Sequence, residues 1–331
     1  MNRYRFLRAC FFAVLLCFVP LMFAADTSSG PPISVLYAGS LDEVMNKGLA
    51  PGFAATGKGT VQGESLGSLA AADSIRNNSK KPDVFISADR QINLSKLMFP
   101  VNGSRIAWYV SLATSELVVA YNPRSTFAAQ FADAAKLPWY KVLASPGLHF
   151  GRSDPATDPL GYRTLFLFNL AAKHYQQPEL AKFLAGAPNS SQISVEGDLP
   201  NRLQSGQLDA AVLYKFQAVL AKLPFVTLPP EINLGDQKMA KAYATESYTT
   251  PSGIRIPGAP ITFTATVPEN AAHYDAAVQF VDYAVRADDL WKQYGFDVIH
   301  HTLTGNPGKV PTALDRFIMV AHPPMDKHHQ H

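Results

Sequence analysis

The chain has 331 residues, 47% of them hydrophobic and 17% charged, with a formal net charge of +3 and only two cysteines. That length exceeds one ordinary hydrophobic core, so two lobes are expected. The weak charge gives the molecule no global reason to bind nucleic acid or an anionic lipid surface.

The first residues carry Arg3, Arg5 and Arg8 and no acid; an apolar run, Ala9 to Phe23, follows and ends at Ala24-Ala25. Basic start, apolar middle and small residues at the end read as a secretory signal peptide over 1–25, whose removal would leave about 306 residues. The apolar run is short for a spanning helix, which wants about 20 residues. Cys10 and Cys17 would leave with the leader, and Leu16 before Cys17 argues against a lipid-attachment cysteine. A mature chain without cysteine excludes disulfides, thiol catalysis and thiolate metal sites. Losing the three arginines would also bring the formal charge to zero. The tail, 321–331, is rich in Pro and His and is expected to fray.

In chain order, Ile33 to Tyr37 is a short buried strand, and Ala38-Gly39-Ser40 turns it into a helix with Ser40 at the N-cap. Gly39, without a Cβ, would let a ligand approach the backbone. Gly59 to Gln62 reads as a second strand, Gly63 to Ser68 as a Gly-Ser turn, and Leu69 to Arg76 as a helix. Pro82 to Ser87 is a third strand, ended by Ala88-Asp89. Strands alternating with helices predict an α/β fold. Glu116 to Pro123 reads as a strand crossing into a second lobe, which contains a helix over Leu199 to Ser205 and a strand over Ala210 to Tyr214. Pro251 to Pro260 is expected to be a linker, and Ile261 to Val267 the returning strand. Helices over Ala271 to Val285 and Asp288 to Tyr294 close the first lobe. The expected division is thus 33–115 and 261–320 for one lobe and 116–260 for the other, with two crossing strands as a hinge.

The central stretch is Phe150-Gly-Arg-Ser-Asp-Pro-Ala-Thr-Asp-Pro-Leu-Gly-Tyr-Arg163. A strand is expected to end at Leu148 to Phe150 and an apolar-periodic helix to begin near Gly161, leaving Ser153 to Asp158 on a strand-to-helix loop. First-turn helix amides have no internal partner and suit an anion. Asp154 and Asp158 suit an N-cap better than an anion site. Arg152 and Arg163 are read as their salt-bridge partners. Three helix starts, at Ser40, at Ser68 and after Asp158, could each offer amides and a hydroxyl to one oxyanion. Gly63-Glu64-Ser65-Leu66-Gly67 also matches the G-x-S-x-G elbow of serine hydrolases, with Ser65 as nucleophile and His300 or His301 as distant partners. It falls too early for the sheet that normally precedes such an elbow, and the histidines read as surface. Gly52 to Lys58 resembles a P-loop but follows a helix and lacks the Ser or Thr, so it reads as a helix C-cap and turn.

Val35 to Leu41, Glu64 to Ala72, Asp83 to Asp89, the central stretch, Glu231-Ile-Asn-Leu234 and Ile261 to Val267 occur in one order. Together they resemble the periplasmic molybdate/tungstate-binding proteins, in the branch of the archaeal tungstate binders. The resemblance covers about Ile33 to Ile299. It implies a two-lobed type II periplasmic binding protein fold with a hinge of two crossover strands. It further implies a monomeric solute binder of the periplasm, not an enzyme, that needs no cofactor and hands an oxyanion to an ABC permease. It places the oxyanion at Ser40 and Ser68, with Gly39 and Leu69 beside them, and carries the family's loop aspartate to Asp158, with Asp154 the other match. In the archaeal branch that aspartate and a glutamate bind the metal centre directly and give it six ligands. Here Leu213 stands where that glutamate would precede Tyr214. A lone carboxylate facing a dianion is repulsive unless it bonds the metal or carries a proton. The expectation is therefore a four-oxygen anion held by hydrogen bonds, Tyr214 donating one and Asp158 orienting the loop. Asp158 would be a metal ligand only if molybdenum or tungsten were coordinated directly. The alternatives are another oxyanion, sulfate or phosphate, and the Ser65 hydrolase.

Overall fold

The computed structural model describes residues 30–98, 103–133, 137–185 and 192–320. The signal peptide and the histidine tail lie outside the described residues. Among the described residues fourteen strands occur in chain order: β1 (Pro32–Tyr37), β2 (Thr60–Ser65), β3 (Val84–Ser87), β4 (Trp108–Ala113), β5 (Leu117–Tyr121), β6 (Phe150–Ser153), β7 (Ile193–Ser194), β8 (Ala210–Tyr214), β9 (Phe225–Thr227), β10 (Ser247–Thr249), β11 (Arg255–Pro257), β12 (Phe263–Thr266), β13 (Thr302–Gly305) and β14 (Ile318–Val320). They form a seven-stranded sheet in the order β14-β13-β4-β12-β3-β1-β2, a five-stranded sheet β7-β6-β8-β5-β9, and a β10-β11 hairpin. Each large sheet, with its helices, is one lobe.

Burial on both faces explains the sequence of the inner strands. Val84 to Ser87, Leu117 to Tyr121 and Ala210 to Tyr214 are buried at every position, so they read as apolar runs rather than alternating ones. β1 is parallel to both β2 and β3, whereas β12 is antiparallel to β3 and β4. Helix Tyr274–Arg286 buries Ala277, Phe280, Val281 and Ala284 at helical spacing, and Phe280 meets Phe53 edge to face at 5.2 Å.

The chain passes between the sheets twice, from β4 to β5 and on the way back to β12. These crossings are tied together: Thr114 Oγ1 donates to Ile261 O at 2.5 Å, and Leu117 N and Ile261 N donate to Asn233 O and Leu234 O, each at 2.8 Å. Asn233 also donates to Glu116 Oε2 at 2.7 Å. An aromatic cluster fills the joint. Phe216 of the five-stranded lobe stacks on Phe296 at 3.8 Å and meets Phe263 of β12 edge to face at 5.8 Å.

Several local expectations shift. β6 runs three residues past the expected strand end, because Arg152 and Ser153 pair with Ile193 and Ser194 of β7. β2 extends through Ser65 by pairing with β1, so the elbow-like motif lies in an edge strand. The expected linker contains β11, which pairs with β10 across a turn closed by Gly253 N donating to Thr250 O at 2.8 Å. Gly253 has a φ of 78°, which a glycine adopts freely. Gly52 to Lys58 is a helix end and turn, as expected. His301 is not a free surface residue: its ring nitrogens bond Ser111 O and Asp288 Oδ1 at 2.9 and 3.0 Å.

Candidate functional site

The two lobes meet where three chain turns leave the seven-stranded sheet: after β1 at Gly39-Ser40, after β2 at Gly67-Ser68, and after β3 at Ala88-Asp89. Facing them are the loop after β6, the start of helix Pro159–His174, the end of β8 and the turn Glu196–Asp198. Strand ends are where an open α/β sheet leaves helix starts and polar turns free for a ligand.

Asp158 is the N-cap of helix Pro159–His174. Its Oδ1 accepts from Gly161 N at 3.1 Å, and its Oδ2 accepts from Ser153 Oγ and from Thr157 Oγ1. Burial raises its pKa from 3.8 to about 6, against the lowering effect of the Ser153 and Gly161 bonds and with some help from Asp154. Asp154 itself forms a turn, accepting from Ala156 N at 2.9 Å. Both aspartates therefore do the capping work that their spacing suggests.

The arginine pairing differs from expectation. Arg163 does not pair with Asp154 or Asp158. Its Nη2 faces Asp89 Oδ2 of the other lobe at 3.2 Å, both side chains being buried. Its Nη1 donates to Ala88 O and to Tyr214 Oη, each at 2.8 Å. Tyr162 also donates to Asp89 Oδ2, at 2.6 Å. The physical reason is periodicity: Tyr162 and Arg163 lie in the first turns of a helix that points across the join, while the capping aspartate is turned back on its own amides. Burial works against the Arg163 charge, but Asp89 and the tyrosines outweigh it and raise its pKa. Burial likewise holds the Tyr214 phenol well above its usual range, although Arg163 opposes the rise. Tyr214 is thus a neutral hydroxyl that accepts from Arg163 and keeps its proton to donate.

Ser68 is fully buried at the start of helix Ser68–Arg76. Its Oγ accepts from Ala88 N at 3.1 Å, leaving the hydroxyl proton to donate. The Leu69 and Ala70 amides donate to Thr157 O of the other lobe at 3.1 and 3.2 Å. Gly67 permits that approach, since a Cβ there would sit 2.5 Å from Thr157 O. Ser40 is buried, and its hydroxyl faces the Glu196 carboxyl. The Ser40 amide donates to Glu196 Oε2 at 3.3 Å, and Gly39 lies beside the same carboxylate.

Glu196 was missed by the sequence reading. It sits in Val195-Glu-Gly-Asp-Leu-Pro200, a turn before a helix, with no apolar periodicity to draw attention to it. Acidic residues around a glycine just ahead of a helix start were the available signal. The expectation that Asp158 has no carboxylate neighbour is thus incomplete. Leu213 is a core residue of β8, whereas Glu196, on another element, lies close enough to Asp158 for the two carboxyls to interact. Burial raises its pKa well above the usual value and the Asp158 charge adds to that, opposed by Ser40 and Arg163. Among the described residues no group of three or more His, Cys, Asp or Glu is placed to hold a metal ion. Beside Ser40 a cleft of about 450 Å³ opens between the lobes, lined by Gly39, Ser40 and Ser65 on one side and Gly197, Asn201 and Gln217 on the other.

Ser65 shows no hydrolase arrangement. Its Oγ donates to Asp42 Oδ2 at 3.3 Å, and His301 is tied to Ser111 and Asp288. The hydroxyls of Ser40, Ser68 and Tyr214 are all buried at the join between the lobes.

Residues 33–297 match the family of bacterial extracellular solute-binding proteins. A Haloferax volcanii protein, provisionally named an ABC transporter molybdenum-binding protein, is 37% identical over 236 residues, covering 71% of this chain and 72% of its own. The fold is shared with the Azotobacter vinelandii periplasmic molybdate-binding protein, at a TM-score of 0.55 and 20% identity, over 81% of this chain and 99% of that one. It is shared also with the sulfate-binding protein SubI of Mycobacterium tuberculosis, at a TM-score of 0.50 and 13% identity, over 88% and 94%.

Proposed function

Given that this chain belongs to the bacterial extracellular solute-binding proteins, we propose that it captures molybdate or tungstate between its lobes and delivers it to an ABC importer. The observation that supports this reading is that buried hydroxyls of both lobes stand at the join: Ser40 beside the Glu196 turn, and Ser68 and Tyr214 linked through Ala88 and Arg163. The name of the Haloferax volcanii relative supports the choice of element.

The binding chemistry is neutral. Hydroxyls and amides can surround a tetrahedral dianion without leaving a stranded charge when it departs. Arg163 is already spent on Asp89, Ala88 and Tyr214, so it orients the Tyr214 hydroxyl rather than neutralising the ligand. Asp158 holds the loop and the helix start. The anion is gripped by groups on both lobes, so it favours the closed arrangement. Selectivity against sulfate comes from size, the charge being the same, and phosphate is disfavoured where its proton meets only donors. The localisation is periplasmic, with 1–25 as the cleaved leader, and the protein works as a monomer against a membrane permease. The hinge lies in the two crossings at Thr114 to Glu116 and Pro260 to Thr262.

Sulfate or phosphate is the second reading, since the same fold serves a sulfate binder. The test is a thermal shift with molybdate, tungstate, sulfate and phosphate in parallel. Stabilisation by molybdate or tungstate should persist in Ser65→Ala and fade in the Ser40→Ala/Ser68→Ala double variant. Equal or larger stabilisation by sulfate or phosphate would transfer the protein to the second reading.

A further inference from the structure

The cleft beside Ser40 is lined by three carboxylates, Asp42, Glu43 and Asp198, and by no lysine, arginine or histidine. An anion at this opening therefore depends on neutral donors. Ser65 spends its hydroxyl on Asp42 at 3.3 Å, and Gln204 Nε2 donates to Ala221 O at 2.8 Å. Asn201 is exposed, so water competes for its amide. Gln217 differs from all of these. It is only 6% exposed, and its Oε1 accepts from the Tyr214 main-chain N–H at 3.1 Å. A main-chain N–H can only donate, so the atom that meets it is the oxygen, and the side-chain amide has one orientation. Its Nε2 is turned away from that bond and has no hydrogen-bond partner among the described residues, while the residue forms part of the cleft wall. Polar groups this deeply buried are otherwise paired, so an oriented and unused donor on a cleft wall points to a ligand.

Resting on the oxyanion-binding reading, we infer that Gln217 is a further ligand-contacting residue, whose Nε2 donates a hydrogen bond to the captured oxyanion from the cleft side. The cleft has Gly39 and Ser40 of the seven-stranded lobe on one wall and Gln217 of the five-stranded lobe on the other. An anion seated at Ser40 is met across the cleft by this amide, and the two lobes are joined through it. Gln217 follows Tyr214 by three residues, and the bond from the Tyr214 N–H to Oε1 fixes the end of β8 and the amide together. One short segment thus supplies two neutral donors, the phenol at the join and the amide at the cleft. A neutral amide suits reversible capture for the same reason as the hydroxyls do: no buried charge is stranded when the anion leaves. No proton is transferred and no covalent bond changes.

The rival role is structural, with Oε1 merely holding the Tyr214 main chain. Gln217→Glu separates the two, because it keeps an oxygen for the Tyr214 N–H and has no donor for the anion. Gln217→Met removes both, and Gln204→Glu places the same new charge in the same cleft without touching Gln217. The experiment is calorimetry of the mature chain with molybdate and with tungstate at neutral pH, in low and in high salt, on wild type and these three variants. Thermal unfolding of each ligand-free variant is the folding control. Gln217→Met should bind about tenfold or more weakly, as for losing a hydrogen bond to a charged group. Gln217→Glu should be at least as weak and remain so in high salt, since a missing donor is not screened, whereas Gln204→Glu should stay within about threefold of wild type there. Wild-type affinity in Gln217→Met, recovery of Gln217→Glu in high salt, or a loss in Gln204→Glu equal to that in Gln217→Glu would each overturn the inference. Should Gln217→Met fail to fold, the comparison of Gln217→Glu with Gln204→Glu decides alone. If wild type itself binds none of molybdate, tungstate, sulfate or phosphate, the functional reading falls first and this inference with it; normal wild-type binding with unaffected Gln217 variants sinks this inference only.

Discussion

Asp89→Asn removes the charge that joins the lobes. Asp89 Oδ2 accepts from Tyr162 at 2.6 Å and faces Arg163 Nη2 at 3.2 Å, while Oδ1 caps Gln91 N at 2.9 Å. Asparagine keeps an oxygen for the Gln91 cap, so the turn after β3 survives. Arg163, only 2% exposed, would lose the carboxylate it is paired with. Breaking a buried pair by removing one partner costs about 3–5 kcal/mol. The lower end, about 3 kcal/mol, applies here because the bonds from Nη1 to Ala88 O and Tyr214 Oη remain. Asp89 belongs to one lobe and Arg163 to the other, so the loss falls on closure more than on the fold of either lobe. At 1.4 kcal/mol per tenfold, molybdate affinity should drop about 100-fold. Calorimetric titration gives the affinity, and small-angle scattering should show the ligand-free variant more open than wild type. The Asp89→Asn/Arg163→Met pair should recover part of the loss, because no buried charge is then left alone. Wild-type affinity in Asp89→Asn would refute the idea that this ion pair holds the lobes together.

Other perturbations read different parts of the same join. Asp158 holds its proton more tightly folded, at about 6, than at its unfolded 3.8. Its contribution is therefore complete below 3.8 and is lost as pH rises toward 6, by about 3 kcal/mol at 1.36 kcal/mol per unit. Asp158→Asn, which keeps an oxygen for the Gly161 cap, should remove most of that decline in denaturant unfolding between pH 4 and 6; an unchanged slope would assign the decline elsewhere. Gly67→Ala puts a methyl 2.5 Å from Thr157 O, in a backbone conformation alanine tolerates. It should weaken ligand binding by about tenfold or more with little effect on lobe stability, a difference readable by titration and melting together. Asn233→Ala removes bonds to Glu116 Oε2, Leu228 O and Gly235 N. It should lower the unfolding free energy by about 1–3 kcal/mol, since those groups lose their partner.

Much of this architecture could be read from the chain because the inner strands are apolar on both faces and two of them, β1 and β3, run into small-residue turns. Val35 to Ser40 and Val84 to Asp89 carry both signals. β4, β7, β9, β10, β13 and β14 were not anticipated; all but the six-residue β4 are two to four residues long and are held by their neighbours rather than by any pattern of their own. The capping roles of Asp154 and Asp158 follow from local spacing, and so does the turn at Gly52 to Lys58. The Arg163–Asp89 pair spans two lobes and has no local signature, so proximity in sequence pointed to the wrong partner. Glu196 escaped for the same reason: its partners, Ser40 and Asp158, are distant in the chain and meet it only after both lobes have folded and closed.

The most direct test of the central claim is a crystal structure of the mature chain grown with tungstate, with data collected at the tungsten absorption edge. The account predicts one strong anomalous peak at the join, with ligand oxygens within hydrogen-bond reach of Ser40 Oγ, Ser68 Oγ and the Tyr214 hydroxyl. A peak elsewhere on the molecule, or an empty join at saturating tungstate, would contradict it.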